Sequence, residues 1–133
     1  DYAVEIYYEA IRNNSYNCFL RKDTALPMMF MDDAIKATIQ LMEADPAKLS
    51  LRSSYNVGGM SFTPKDVVAA IRKHQPDFSV SYEPDFRQAI ADSWPASIDD
   101  SVARADWGLS DAFNLDSMTE LMLSEIGKKI SKK

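Results

Sequence analysis

Ser53–Ile71 reads SSYNVGGMSFTPKDVVAAI and lays a strand, a turn and a helix end to end. Ser53–Val57 predicts the strand, and Gly58-Gly59 ends it. Thr63 then stands where an N-cap belongs, with Pro64 at the first helical position and Asp66 just beyond. A threonine hydroxyl there accepts an orphan backbone N–H, and proline has no N–H to lose. Thr63 and Asp66 form an approximate capping box, with Phe62 and Val67 as its hydrophobic staple. The helix carries Val67, Val68 and Ile71 and ends near His74-Gln75-Pro76. A strand that hands over to a helix in this way is the building unit of an α/β protein.

The flanking sequence repeats the theme. Upstream, Asp1–Asn13 predicts a helix with Ala3, Ile6, Tyr7 and Ala10 on one face, closed by Asn13-Asn14-Ser15. Strands are expected over Tyr16–Leu20 and Leu26–Met31, and Asp32 or Asp33 then caps a helix running to about Ala44. Ile35, Ile39 and Met42 are its expected buried stripe. Downstream, Phe78–Tyr82 reads as a fourth strand and Arg87–Ala91 as a short helix. Asp99 or Asp100 caps another helix, with Gly108 after its end. Ser117 and Glu120 form a capping box for the last, whose face is Met118, Leu121, Met122 and Ile126. Strands alternating with helices predict α/β architecture with parallel pairing and no internal domain boundary.

Composition excludes several classes of function. With 133 residues, 46% hydrophobic and 26% charged, the chain is one domain or part of one. A net charge of −5 gives no footprint for nucleic acid, and Lys128, Lys129, Lys132 and Lys133 read as a solvated helix end. No apolar run approaches the ~18 residues of a membrane span, so no membrane association is expected. Cys18 as the one cysteine excludes an internal disulfide, and with one histidine there is no Cys/His metal set. No signal or targeting segment is expected at the start of the chain. Asp1-Tyr2-Ala3 runs directly into helical spacing, as in a chain that starts inside a fold.

Several single residues fit plain structural roles. Gly58-Gly59 lies between a strand and a helix, but Asn56-Val57-Gly58-Gly59-Met60-Ser61 lacks the third glycine of a dinucleotide loop and reads as a turn. Asp32-Asp33 and Asp99-Asp100 read as caps rather than metal or acid–base carboxylates. His74 falls at a helix end, where a cation suits the dipole, and Cys18 reads as a small core residue.

Tyr82–Leu109, YEPDFRQAIADSWPASIDDSVARADWGL, is the least ordinary stretch; it holds both tryptophans. Pro95 biases Trp94 towards extended backbone, so the helix ahead of it stops there. Trp94 fits either a core anchor or a pocket wall, and burial arguments alone favour the core. Arg87 follows a strand, near the carboxyl end where α/β sheets bind ligands. Its planar fork can hold a carboxylate or phosphate, or pair with Asp85 or Asp92.

These segments resemble the C-terminal half of an extended short-chain dehydrogenase/reductase. PMMFMDDAIKATIQLM (27–42) and SSYNVGGMSFTPKDVVAAI are similar to segments shared across that superfamily, nucleotide-sugar epimerases and dehydratases included. The 82–109 stretch resembles, more narrowly, its NAD-dependent L-threonine 3-dehydrogenases. That resemblance implies a Rossmann-type fold with short parallel strands and flanking helices, of which residues 1–133 are the substrate-binding C-terminal portion. It implies oxidation of the L-threonine hydroxyl to 2-amino-3-oxobutyrate with NAD as hydride acceptor, and a homodimer at full length. It also implies a location in the bacterial cytoplasm or the animal mitochondrial matrix.

The family's catalytic Ser and Tyr-x-x-x-Lys belong to an N-terminal, dinucleotide-binding half. No tyrosine in this sequence has a lysine four residues on, so no catalytic or NAD-binding residue is expected here. Two substrate contacts are implied: Asp1, matching the Asp of a Thr-Thr-Asp-Tyr-Ala segment, and Trp94. Arg87 matches more loosely a phosphate-contacting arginine of related enzymes. The alternatives are the C-terminal half of a nucleotide-sugar epimerase or dehydratase, and a non-catalytic binding domain of the same fold.

Overall fold

The computed structural model describes residues 1–132. Helix α1 (Tyr2–Asn13) is followed by strand β1 (Ser15–Cys18), strand β2 (Leu26–Met28) and helix α2 (Met31–Glu43). Strand β3 (Met60–Phe62), helix α3 (Pro64–Arg72) and strand β4 (Ser79–Tyr82) come next, then α4 (Arg87–Asp92), α5 (Ser101–Trp107) and α6 (Leu115–Ser131). The class is α/β. β1 and β4 pair in parallel, Ser15 opposite Ser79 through Cys18 opposite Tyr82. β2 and β3 pair antiparallel, Leu26 opposite Phe62, alongside the expected parallel pair.

The main core lies between α1, α3, α6 and the parallel pair. Tyr2, Ile6, Tyr7, Val67, Ile71 and Phe78 are each at most 2% exposed within it. The Tyr7 hydroxyl shares a 2.8 Å hydrogen bond with the buried Thr119 hydroxyl, so α1 and α6 are joined by a polar contact inside an apolar contact surface. Thr63 and Asp66 form the expected capping box, with Phe62 and Val67 both buried beside it. Asp1 caps α1 by accepting the Ala3 amide at 3.0 Å. Gly108, at φ 74°, ends α5 as expected.

Elsewhere the chain departs from its sequence pattern. Residues 53–57 form no strand and have no ladder partner among the described residues; the third strand instead begins at Met60. Neither Asp32 nor Asp33 caps α2: Phe30 holds the N-cap position, and no side chain bonds there. Asp33 is buried instead, and its carboxylate accepts the Ala112 amide at 2.9 Å and the Phe113 amide at 3.0 Å. The face of α2 turned inward carries Asp33 and Ala37, while Ile35, Ile39 and Met42 are 52%, 48% and 80% exposed. Helix α6 is capped by Asn114 and Ser117 rather than by Ser117 and Glu120. Its buried face includes Thr119 and Leu123 beside Met118 and Ile126. Lys128 and Lys129 close α6 in its last turn, whereas Lys133 lies outside the described residues.

Candidate functional site

Five separated segments enclose a cavity of about 430 Å³. Asp1 and Tyr2 reach it from the start of α1, Phe19 and Leu20 from the end of β1, and Leu26–Met28 from β2. Arg87, Ile90 and Ala91 line it from α4, and Trp94 from the break that follows. The three candidate residues Asp1, Arg87 and Trp94 thus share one cavity, whose other walls are apolar.

Each has a definite setting. Asp1 uses one carboxylate oxygen as the helix cap, which points the group at the first turn and the cavity mouth. Arg87 is committed to Asp85: its Nε is 3.0 Å from both carboxylate oxygens and its Nη2 is 2.6 Å from Oδ2. The guanidinium carbon lies 3.4 Å from the Phe19 ring centroid, stacking the cation on the aromatic face. Hydrogen bonds from Arg87 hold the Asp85 carboxyl below the usual carboxylate range, and the same bonds raise the guanidinium. Of the pairings considered for Arg87, Asp85 is realised. Asp92 is engaged instead by Arg21 at 2.8 Å and by Gln88 at 2.7 Å. Trp94 is 61% exposed at the rim, so it is no core anchor among the described residues.

Gln88 is a positioning residue that sequence reasoning missed. It is 6% exposed; its Oε1 accepts the Arg21 amide at 2.7 Å, and its Nε2 donates to Thr24 Oγ1 and Asp92 Oδ1. These bonds fix α4, and with it Arg87 and Ile90, to the turn after β1. α4 is a six-residue helix, too short for periodicity to show which polar residue turns inward.

The Gly58-Gly59 turn does not fit a dinucleotide phosphate. The Gly58 amide donates to Asp100 Oδ2 at 3.1 Å, so a carboxylate already occupies the place a phosphate would take. A Cβ on Gly58 would lie 2.7 Å from the Ile98 carbonyl oxygen, and one on Gly59, at φ 68°, 2.6 Å from that of Met28. These glycines serve close backbone packing. No group of three or more potential metal ligands occurs among the described residues. No helix among them is long and apolar enough to cross a membrane.

A relative from Staphylococcus haemolyticus, named an uncharacterized epimerase/dehydratase, is 54% identical over 130 residues, which is 97% of this chain and 41% of that protein. The chain belongs to the epimerase/dehydratase superfamily. Among solved structures of the superfamily, a GalE-like L-threonine dehydrogenase from Cupriavidus necator superposes with a TM-score of 0.91 at 58% identity, over 95% of this chain and 45% of that one. An L-threonine dehydrogenase from Phytophthora infestans gives 0.94 at 52% identity, over 96% and 41%. The chain therefore spans less than half the length of these superfamily members, and corresponds to their C-terminal portion. No protein-family model matches it.

Proposed function

We propose that the chain is the substrate-side part of an NAD-dependent L-threonine 3-dehydrogenase, with the Asp1–Arg87–Trp94 cavity as its share of the amino-acid site. The carrying observation is the charge inventory of that cavity: one carboxylate, one arginine already paired with its own aspartate, and apolar walls. A carboxylate offers an opposite charge and acceptors to an ammonium group. Apolar walls suit a methyl-bearing side chain, and Trp94 at the rim can exclude water from it. The relatives of known structure carry threonine dehydrogenase names, which agrees with this charge balance.

The same inventory weighs against a nucleotide-sugar substrate. A diphosphate calls for unpaired cations, and among the described residues Arg87 is the sole basic one on the cavity wall. Its fork is filled by Asp85.

In the proposed oxidation, the bond between hydrogen and the hydroxyl-bearing carbon breaks as hydride leaves for NAD, and the hydroxyl gives its proton to a base. The described residues supply binding and orientation for the substrate. The base and the dinucleotide site are assigned to the N-terminal part of the polypeptide. Accordingly, residues 1–133 alone neither bind NAD nor reduce it with threonine.

The test uses the polypeptide carrying both parts, assayed for NADH formation. Asp1→Asn keeps an N-cap acceptor while removing the charge. It is expected to raise the KM for threonine ~10-fold or more, from the ~1.5–3 kcal/mol of a charged hydrogen bond, and to leave NAD affinity unchanged. Trp94→Ala should likewise impair threonine use and not NAD binding. NADH formation without dependence on threonine, or turnover of a nucleotide-sugar in its place, refutes the proposal. So does threonine turnover by residues 1–133 alone.

A further inference from the structure

Two walls of the cavity come from distant parts of the chain. Leu26–Met28 of β2 form one, and Ile90, Ala91 and Trp94 form the other. Trp94 is an extension of α4. Its amide donates to the Ala91 carbonyl at 3.1 Å, and the Ser93 amide and hydroxyl both donate to the Ile90 carbonyl, at 3.1 and 2.7 Å. Wherever α4 lies, Trp94 follows. Yet α4 has little apolar anchorage: Ile90 is 53% exposed, and Phe86, just ahead of the helix, 76%. Gln88 is its one buried side chain, and Ala91 is half-buried. Six residues are also too few for a helix to hold itself together in water.

The attachment of α4 is therefore polar. Gln88 Oε1 accepts the Arg21 amide at 2.7 Å, while Nε2 donates to Thr24 Oγ1 at 3.1 Å and to Asp92 Oδ1 at 2.7 Å. Arg21 closes the circuit with its Nη2 2.8 Å from the same Asp92 oxygen. Thr24 is itself buried, and the 21–24 turn leads through Ala25 directly into β2. One carboxamide thus joins the helix that carries Trp94 to the turn that delivers β2. An amide suits this place, since it uses donor and acceptor together without burying a charge. The other tie of α4 is Arg87, paired with Asp85 and stacked on Phe19, and it fastens only the first residue of the helix.

We propose that Gln88 determines specificity from outside the cavity. It sets the gap between Trp94 and β2, and with it the length of side chain the substrate carries on its hydroxyl-bearing carbon. The inference rests on the proposed threonine oxidation and deepens it. Gln88 does not line the cavity; it is a positioning residue that acts through Ile90, Trp94 and β2. A group misplaced by ~1 Å costs up to ~100-fold in rate. One methylene in a fitted apolar pocket is worth about 10–200-fold in discrimination. A loosened gap therefore shows as lost discrimination between substrates that differ by a methylene.

The test compares kcat/KM for threonine and for its homologue 2-amino-3-hydroxypentanoate, using the polypeptide that carries both parts. Gln88→Met keeps the length of the side chain and removes its hydrogen bonds. The preference for threonine over the homologue should fall ~5-fold or more, a fraction of what one methylene is worth. A merely structural glutamine would lower both activities in proportion and leave the ratio unmoved. Hydrogen exchange supplies a readout free of turnover: the Ser93 and Trp94 amides should exchange ~10-fold or more faster in Gln88→Met, with α1 and α6 unchanged. Gln88→Glu sets two carboxylates together at residue 92, and Gln88→Glu with Asp92→Asn exchanges donor and acceptor across that bond. The double variant should recover the ratio that Gln88→Glu loses. This pair decides the matter if Gln88→Met does not fold. An unmoved ratio, unmoved exchange at 93 and 94, or a double variant no better than Gln88→Glu overturns the proposal. If the unsubstituted protein oxidises neither amino acid, the substrate reading falls. Exchange at 93 and 94 then decides alone whether Gln88 positions Trp94.

Discussion

Helices α1 and α2 have 12 and 13 residues and are comparably amphipathic, yet they meet their surroundings with opposite faces. α1 turns Ala3, Ile6, Tyr7 and Ala10 into the core and leaves Glu5, Glu9 and Arg12 outside. α2 turns Asp33 and Ala37 inward and leaves its isoleucines outside. The difference is one of partners. α1 finds α3, α6 and β1 within the chain, and its stripe is satisfied by them. α2 finds two buried small or medium side chains, Ala103 and Leu109, for its own Ala37, and is anchored by the backbone amides that donate to Asp33. Amphipathic spacing states that a helix has a face to bury; the body that buries it must be present for the statement to come true.

The largest break of this comparison comes from alkali, because three buried phenols lie on the α1 side. Burial raises the phenol of Tyr7 from 10.0 to about 12. Burial also pushes Tyr2 and Tyr16 upward. Each folded-state value lies above the unfolded one, so the stability these neutral phenols contribute is fully present below pH 10. For Tyr7 it is lost as pH rises from 10 towards 12. Cooperative unfolding is expected in that window, with tyrosinate absorbance rising together with the loss of helical circular dichroism. Ionisation of Tyr2, Tyr7 and Tyr16 with a midpoint near the ordinary value of 10, the fold intact, would contradict the burial.

Next in size is a truncation in the same body. Ile71 is 0% exposed within the main core, and Ile71→Ala removes three carbons from a packed site. A cost of ~2–5 kcal/mol is expected, from lost transfer energy plus the residual cavity. Chemical denaturation of residues 1–133 measures it, and a loss well under 1 kcal/mol would mean that this core is loosely packed.

On the α2 side the strongest tie is polar. Asp33→Ala strips the Ala112 and Phe113 amides of their acceptor and frees the loop that holds Phe113 against Phe30, where the ring centroids are 4.5 Å apart. The expected cost is ~1–3 kcal/mol. Asp33→Asn, which keeps an acceptor oxygen, should fall between wild type and alanine. Equal effects of the two would show that the charge, and not the acceptor, anchors α2.

How far these features could be read from the sequence follows from the span of the interactions behind them. The Thr63–Asp66 capping box and the Gly108 helix end close within a few residues, and both are legible. Asp33 sits where a cap belongs, but its partners lie at 112 and 113, and no local pattern announces them. Trp94 reads as a core residue on size alone, and its place at a rim emerges only when Asp1, β2 and α4 come together. The resemblance of the 82–109 stretch carried more information about the cavity than any periodicity did, because cavities are assembled from segments far apart in the chain. Residues 53–57 have a strand's alternation and lack a strand's neighbour.

The smallest expected effect is the most discriminating between the two regions. Ile39→Ala deletes the same three carbons as Ile71→Ala, from the same residue type on a helix of similar length. Ile39 is 48% exposed, and on residues 1–133 its truncation removes little buried area and opens no cavity. Alanine also has the higher helix propensity, by a few tenths of a kcal/mol. The two contributions nearly cancel, so the change in unfolding free energy should stay within ~0.5 kcal/mol, the range of ordinary surface substitutions. The denaturant slope should be unaltered as well, since the area exposed on unfolding hardly changes. A destabilisation approaching that of Ile71→Ala would place Ile39 in a packed environment on this chain alone. In that case α2 already has its partner within residues 1–133, and the contrast with α1 disappears.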